Sequence, residues 1–327
     1  MRLATIRDGT RDGRLAVVSR DGGRLADGSC VARNLQAALD DWDRTQPRLR
    51  EIAEALDAGR TAGAPLDPRR LHAPLPRAYE WIDGSTYLNQ VRLATRARGT
   101  EPPPRLEADP LVYQGGSGVL LGPTDDVPLG DPAWGLDLEA EVCVILGDVP
   151  RGTPAAEAPR HVRLLCLAND LTLRNLVPDD LARGFGFLLS KPPTAFSPFA
   201  VTPDELGDGW HDGRAWIRVQ VRRNGELLGD LESGPEMHFS FGDLVARVCR
   251  TRPLTAGTIL GSGTLSNVDR ARGVGCIAER RLVEMLESPE RQPRTPFLQA
   301  GDLVEIESRD AAGRSVFGCI SQRVAAS

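Results

Sequence analysis

The chain has 327 residues, of which 41% are hydrophobic and 26% are charged, and its formal net charge is −5. This composition is typical of a globular protein with one large domain, or with a small domain and a larger one. No apolar run approaches the roughly 18 residues of a membrane helix, and the first residues lack the apolar region of a signal peptide. We therefore expect a cytoplasmic protein without a membrane partner. The absence of a basic stripe argues against nucleic acid as a partner.

The cysteines indicate neither a disulfide framework nor a zinc site. Six of them are scattered along the chain without Cys-x-x-Cys spacing, and most lie in apolar segments such as residues 142–144 and 165–167. Buried, reduced thiols of a cytosolic protein have this distribution.

The N-terminal region is predicted to contain a β-hairpin followed by two helices. Extended stretches at 2–6 and 15–19 flank polar turn residues, which is the pattern of a hairpin. Apolar residues at helical spacing then cover 34–42 and 47–56, and Gly59 ends the second segment.

A linker candidate follows these helices. Residues 60–80 are rich in proline, arginine and alanine and show little periodicity. We therefore predict a small N-terminal α/β domain with its linker over residues 1–75, and a larger domain over residues 76–327.

The larger domain is predicted to be mostly β. Residues 216–221 alternate and run into Asn224-Gly225, a turn sequence that is typical of a hairpin. Residues 303–307 and 315–320 form a second predicted strand pair, and helical spacing is confined to a few pieces such as 241–248. The fold class is therefore mostly β with α (α+β), with mixed sheets and few helices.

An acidic strand is the first candidate for chemistry. Asp137, Glu139 and Glu141 alternate with apolar residues at the start of a run that becomes wholly apolar, so they share one face of a strand. Carboxylates at this spacing repel one another unless a cation or water intervenes. Oxygen ligands without a nearby histidine or cysteine favour a hard cation such as Mg²⁺, Mn²⁺ or Ca²⁺. The alternative that this motif leaves open is a solvated acidic strand end.

Two further residues follow along the chain. Asp170 ends a second apolar run, where a carboxylate either binds a ligand or caps a helix over 171–176. Lys191 is the single lysine among 40 Lys and Arg residues. Arginine cannot replace lysine where a compact ammonium group is needed. We therefore predict a functional role for Lys191, with chance survival at a surface position as the alternative.

Four motifs, in this order and at these spacings, resemble those of the fumarylacetoacetate hydrolase family. They are Glu139-Ala-Glu141, Asn169-Asp170-Leu-Thr-Leu-Arg174, Ser190-Lys191 and Gly261-Ser-Gly263-Thr264. The similarity runs from about residue 79 to the end, and the N-terminal segment resembles the small leading domain of the fumarylacetoacetase-like branch. The resemblance implies a mixed β-sheet roll or barrel in the larger domain, a small-molecule substrate and a homodimer.

The resemblance also implies the roles of individual residues. A divalent metal, with Mg²⁺ expected first and Mn²⁺ or Ca²⁺ as alternatives, would be held by Asp83, Glu139, Glu141 and Asp170. The positions that it assigns to substrate binding are Tyr113, Arg174, Thr264 and Arg98. Lys191 matches a lysine that assists at the substrate. The metal then acts as a Lewis acid that stabilises an enolate.

One position departs from the family pattern. Members that hydrolyse a C–C bond carry a histidine seven residues beyond the Asp83 position, oriented by a glutamate that corresponds to Glu279. This chain has Gln90 instead of the histidine, and a glutamine amide cannot take a proton from water. Lys191, Glu279 acting alone and His238 are the alternative bases that the sequence leaves open.

Three hypotheses follow. The first is a metal-dependent hydrolase that cleaves a C–C bond in an acylpyruvate-like β-diketo acid. The second keeps the metal and the enolate without hydrolysis, as in a decarboxylase, tautomerase, dehydratase or cyclase, and Gln90 motivates it. The third is a binding protein that retains the fold and has lost catalysis.

Overall fold

The structure is a computed structural model that describes residues 1–326, apart from the side chain of Arg98. The α-helices in this part of the chain are α1 (Leu35–Leu39), α2 (Trp42–Asp57), α3 (Leu88–Arg98), α4 (Val177–Ala182), α5 (Phe241–Val248) and α6 (Ile277–Glu287). The strands of the first half are β1 (Arg2–Ile6), β2 (Arg14–Val18), β3 (Arg24–Asp27), β4 (Ala64–Pro65), β5 (Trp81–Ser85), β6 (Leu111–Gly115), β7 (Val127–Leu129), β8 (Leu136–Asp137), β9 (Ala140–Leu146) and β10 (Val162–Asn169). Those of the second half are β11 (Thr172–Leu173), β12 (Ala195–Phe196), β13 (Phe199–Val201), β14 (Trp210–His211), β15 (Arg214–Ala215), β16 (Arg218–Arg223), β17 (Glu226–Glu232), β18 (Ile259–Gly261), β19 (Leu303–Ser308) and β20 (Ile320–Ala326).

The largest sheet joins the N-terminal segment to the rest of the chain. Its strand order is β4-β3-β2-β1-β13-β10-β9-β18-β5-β6, and β12 also pairs with β10. The N-terminal strands enter this sheet through β1, where Leu3 lies opposite Ala200 of β13. The two predicted domains therefore share one sheet, and the boundary near residue 76 stays a prediction.

The core of the larger domain lies against a second sheet, with the order β17-β16-β19-β20-β7. Strand β9 is buried on both faces, because Val142 and Val144 pack in this core while Cys143 and Ile145 pack in a second cluster with α1 and α2. The sequence of a strand that is buried on both faces is a continuous apolar run. This explains why the sequence after Glu141 loses its polar alternation.

The α+β fold class is confirmed. In the part of the chain that the structure describes, the strands form open sheets and no closed barrel. No described helix is both long and apolar enough to cross a membrane.

Most local predictions are confirmed. Strands β1 and β2 pair as the predicted hairpin. Asn224 and Gly225 join β16 to β17 with φ values of 54° and 83°, the left-handed values that a tight hairpin turn requires. Helix α5 begins at a capping box in which Ser240 and Asp243 exchange hydrogen bonds with each other's backbone.

One local prediction and one local alternative are wrong. The partner of β19 is β20, which begins at Ile320 rather than spanning 315–320, because Gly313 and Gly318 take positive φ values that end extended structure. The helix over 171–176, which Asp170 would cap in the alternative interpretation, does not form. Residues Thr172 and Leu173 pair with β8 instead, and α4 begins at Val177.

Candidate metal centre and active site

Three buried carboxylates meet at the centre of the large sheet. Asp83 lies on β5, Glu141 on β9, and Asp170 directly follows β10, which neighbours β9. Each offers one oxygen, and these oxygens lie within 4.8 Å of one another. Strands distant in the sequence thus bring together three of the four residues that were predicted to hold a metal.

The surroundings of these carboxylates fit a divalent cation. Both carboxylate oxygens of Glu141 are buried, and no N–H or hydroxyl group of the described residues donates to them; the group that faces them is the carboxyl of Asp83. Gly261 leaves room beside them, because a Cβ atom there would lie 2.4 Å from Asp83 Oδ1 and 2.7 Å from Glu141 Oε2. Hard oxygen ligands clustered in this way are typical of magnesium, manganese and calcium sites.

Charge repulsion among these groups changes their pKa values. Burial and then the charge of Asp170 raise the pKa of Asp83 from 3.8 to about 8. Burial and then the charge of Asp83 raise the pKa of Glu141 well above its ordinary value. A bound cation would remove the cause of the repulsion.

A pH dependence follows from the raised pKa of Asp83. A proton binds this group more tightly in the folded than in the unfolded chain. The free energy of unfolding of the metal-free protein is therefore expected to fall as the pH rises from about 4 to about 8. Since a cation must displace that proton, the rise in melting temperature on adding Mn²⁺ should be small at pH 5.5 and large at pH 8. Differential scanning calorimetry at both pH values measures it, and equal shifts would contradict the expectation.

Asp170 is held on both carboxylate oxygens. Its Oδ1 accepts a hydrogen bond from the hydroxyl of Thr194 at 2.6 Å. Its Oδ2 accepts from the phenol of Tyr113 at 2.6 Å and from Lys191 Nζ at 2.5 Å. The helix-cap alternative for Asp170 is wrong, because its side chain binds these three groups and Leu176 occupies the N-cap position of α4.

Glu139 lies beside the three carboxylates but contacts cations of the protein itself. Its Oε1 accepts from the guanidinium of Arg174, and its Oε2 accepts from Lys191 Nζ at 2.8 Å. Burial alone would raise the pKa of Glu139, but Arg174 and Lys191 lower it to about 2. In this arrangement Glu139 balances the charge of two cations. Its role as a fourth metal ligand stays a prediction.

Lys191, the sole lysine, lies inside this cluster. Its side chain is 8% exposed, and its Nζ lies 5.2 Å from the centre of the Tyr113 ring. Burial alone would lower the pKa of Lys191, but the charges of Asp170 and Glu139 raise it above its ordinary value. The ammonium therefore stays protonated in this arrangement, which disfavours Lys191 as the base that replaces the missing histidine.

Asp137 has a role that the sequence pattern did not reveal. It is fully buried, and its carboxylate accepts hydrogen bonds from the backbone N–H groups of Ile277 and Ala278 at 2.8 and 2.9 Å. It also accepts from Arg174 Nε at 2.8 Å. Asp137 thus binds the N-terminal end of α6 and joins that helix to the charged cluster. Period-2 spacing placed it on the correct face, but the partner lies 140 residues away.

The residues at the expected water-activating position form a separate group. Gln90 lies on α3 and donates its amide N–H to Cys276 Sγ at 3.3 Å, and Cys276 caps α6 by accepting from the backbone N–H of Glu279 at 3.4 Å. Glu279 Oε1 accepts from Ser266 at 2.8 Å, while its Oε2 has no partner among the described residues. Burial raises the pKa of Glu279 to about 7.

The remaining predicted residues lie as follows. Thr264 is buried and directly follows Gly263, whose N–H donates to Asp83 Oδ1 at 3.0 Å. The side chain of Arg98 lies outside the described part of the chain. His238 is exposed and its ring bonds to the backbone carbonyl of Glu107, so the structure places this candidate base elsewhere.

Both parts of the chain match known protein families. Residues 1–77 match the fumarylacetoacetase N-terminal domain 2, and residues 81–325 match the fumarylacetoacetate (FAA) hydrolase C-terminal family. The mitochondrial oxaloacetate tautomerase FAHD1 of Bos taurus is 29% identical over 214 residues, which are 63% of this chain and 87% of that protein.

Solved structures share the fold. A putative HpcE protein from Mycobacterium smegmatis has a TM-score of 0.70 at 22% identity, with 100% of both chains covered. Maleylpyruvate hydrolase from Sphingobium sp. SYK-6, in complex with manganese(II) and pyruvate, has a TM-score of 0.64 at 19% identity, with 100% of this chain and 99% of that chain covered. Since the family match alone spans residues 81–325, the chain belongs to the fumarylacetoacetate hydrolase family.

Proposed function

We propose that the protein catalyses metal-assisted enolisation of a 2-oxo acid, as keto–enol tautomerisation or a related isomerisation, without hydrolysis of a C–C bond. The observation that carries this proposal is a cluster of three carboxylates beside a protonated lysine. The amide of Gln90, at the position of the expected base, donates a hydrogen bond to the thiol of Cys276. The name of the bovine relative, an oxaloacetate tautomerase, supports the same class of reaction.

Asp83, Glu141 and Asp170 would hold the divalent metal, with Glu139 as a further ligand implied by the family. When bound, the metal supplies a Lewis acid that polarises the carbonyl oxygen of the substrate and stabilises negative charge on it. Magnesium or manganese fits the all-oxygen ligand set.

The protein groups around these ligands would support the same charge. Lys191 provides a fixed positive charge next to Asp170. Burial and the charge of Asp170 raise the pKa of Tyr113 well above its ordinary value, so its phenol stays protonated and keeps its hydrogen bond to Asp170. Thr264 and Arg98 are proposed to bind substrate oxygens, as the family resemblance implies. Such prearranged donors and charges lower the barrier most when charge develops on the substrate.

Glu279 is the proposed proton carrier. A group exchanges protons most effectively when its pKa lies near the working pH, and burial raises the pKa of Glu279 to about 7. The proton removed from carbon 3 of the 2-oxo acid would be returned to the same carbon or to the enolate oxygen, which balances the reaction without water or an oxidant.

Hydrolysis of an acylpyruvate-like β-diketo acid is the second candidate function. Oε2 of Glu279, which has no partner in the part of the chain that the structure describes, favours it, because a carboxylate oxygen without a partner can accept a proton from water. A divalent metal serves both reactions, so only the fate of water distinguishes them.

Exchange of substrate protons for deuterium tests the proposal. In D₂O, metal-loaded protein is expected to catalyse exchange of the carbon-3 protons of oxaloacetate or an acylpyruvate, which ¹H NMR measures. It is also expected to accelerate the loss of the substrate's enol absorbance. In H₂¹⁸O, mass spectrometry is expected to find no two-fragment cleavage and no ¹⁸O in a new carboxylate. Labelled cleavage products would instead establish hydrolysis, and the absence of both reactions with tightly bound metal would support a binding protein.

A further inference from the structure

The ammonium group of Lys191 has a complete set of hydrogen-bond partners inside the protein. It carries three N–H donors. They reach Asp170 Oδ2 at 2.5 Å, Glu139 Oε2 at 2.8 Å and Thr172 Oγ1 at 2.8 Å. Two of these partners are carboxylates of the active site, and the third is a neutral hydroxyl.

Thr172 is oriented so that it can only accept from this ammonium. Its own O–H donates to the backbone carbonyl oxygen of Asp170 at 3.1 Å, which leaves the lone pairs of Oγ1 for Lys191. The residue is 1% exposed, and its backbone is fixed by pairing with Asp137 across β8 and β11. The hydroxyl therefore lies in a rigid place before any substrate binds.

We propose that Thr172 is a positioning residue for the reaction, holding the Lys191 ammonium beside Asp170 and Glu139. This inference rests on the proposed function. Without the hydroxyl, one N–H of a buried ammonium would lack a partner, and the group would turn toward the remaining carboxylates. The positive charge would then no longer be fixed where negative charge develops on the substrate, and that fixed placement is what lowers a reaction barrier.

Thr172→Val tests the hydroxyl, since valine has nearly the same shape and no hydroxyl. The kcat for carbon-3 deuterium exchange is expected to fall about 10- to 100-fold, the loss of one hydrogen bond to a charged group. The KM and the affinity for Mn²⁺ should stay within about 3-fold of the wild-type values, because the metal carboxylates are unchanged. Thr172→Ser should restore kcat to within about 3-fold. The control Thr45→Val removes a buried hydroxyl that donates to the backbone carbonyls of Ala38 in α1 and Asp41 before α2, and it should leave kcat unchanged.

A second measurement does not depend on turnover. Because Lys191 is the sole lysine, ¹⁵N-lysine labelling gives one side-chain NMR signal. In metal-free wild-type protein and in Thr172→Ser, its N–H protons should exchange slowly with water. In Thr172→Val exchange should be at least about 10-fold faster, because one hydrogen bond is lost.

The outcomes separate the two proposals. The role of Thr172 would be overturned by any one of three results. These are a wild-type kcat in Thr172→Val, a kcat in Thr172→Ser as low as that of Thr172→Val, and an unchanged rate of N–H exchange in Thr172→Val. If wild-type protein catalyses no exchange of substrate protons but Thr172→Val alters the lysine signal, the proposed function fails while the contact between Thr172 and Lys191 stands.

Discussion

Glu141→Gln is expected to lower metal-dependent turnover strongly and at the same time to raise the melting temperature of the metal-free protein. Glu141 is fully buried, and no N–H or hydroxyl group of the described residues donates to its two oxygens. Ionising Glu141 would place a buried negative charge next to Asp83 and Asp170, and this cost raises its pKa well above the ordinary value. A neutral amide would remove part of the repulsion and could donate an N–H to a neighbouring carboxylate.

With metal present, the wild type should have the higher melting temperature. A metal that binds only the folded protein stabilises it by about 2.7 kcal/mol at a concentration 100 times its dissociation constant, and the variant would lose this gain. Turnover should fall on the order of 10³-fold, since Lewis-acid stabilisation contributes several kcal/mol to the barrier. Melting curves with and without Mn²⁺, together with titration calorimetry, measure both effects.

Glu54→Gln is the matched control, because Glu54 is an exposed residue on α2, a helix that contributes no residue to the carboxylate cluster. It should change neither the melting temperature nor the metal affinity. If Glu141→Gln kept wild-type metal affinity, the assignment of the three carboxylates as the metal site would be wrong.

Gln90→His is expected to introduce hydrolysis of an acylpyruvate. The side chain at position 90 contacts Cys276, whose sulfur accepts from the backbone N–H of Glu279. An imidazole there would lie near a buried carboxylate that has a free oxygen, which is the partner a catalytic histidine needs. General-base catalysis typically contributes about 10²- to 10⁴-fold, so a rise in hydrolytic rate of at least about 10²-fold is expected.

The measurement is incorporation of ¹⁸O from labelled water into a product carboxylate. The hydrolytic rate should rise with pH through the imidazole pKa, near 6.5 for an unperturbed histidine, because only the neutral ring accepts a proton. Two controls separate the chemistry from a change of shape. Gln90→Asn should gain nothing, and the double variant Gln90→His with Glu279→Gln should lose most of the gain. A hydrolytic rate in Gln90→His equal to that of the wild type would show that position 90 does not decide between the two reactions.

The amino-acid sequence by itself determined which side chains could carry the chemistry and which face each occupies. Alternation along 137–142 placed the acidic residues opposite Leu138 and Ala140, which pack in the core. The scarcity of lysine singled out Lys191, and Gln90 marked the departure from the family. These features can be predicted from the sequence because strand periodicity and side-chain chemistry are local properties.

Only the tertiary structure decided which partner each side chain meets. Glu141 approaches Asp83, whereas Glu139, two residues earlier on the same face, binds Arg174 and Lys191. Asp137 binds a helix end 140 residues away. The capping alternative for Asp170 was open because a carboxylate after a strand suits either role. Periodicity specifies the face of a strand but not the strand or helix that lies opposite it, and here the pairing across the sheet assigns each carboxylate its cation, helix end or neighbouring acid.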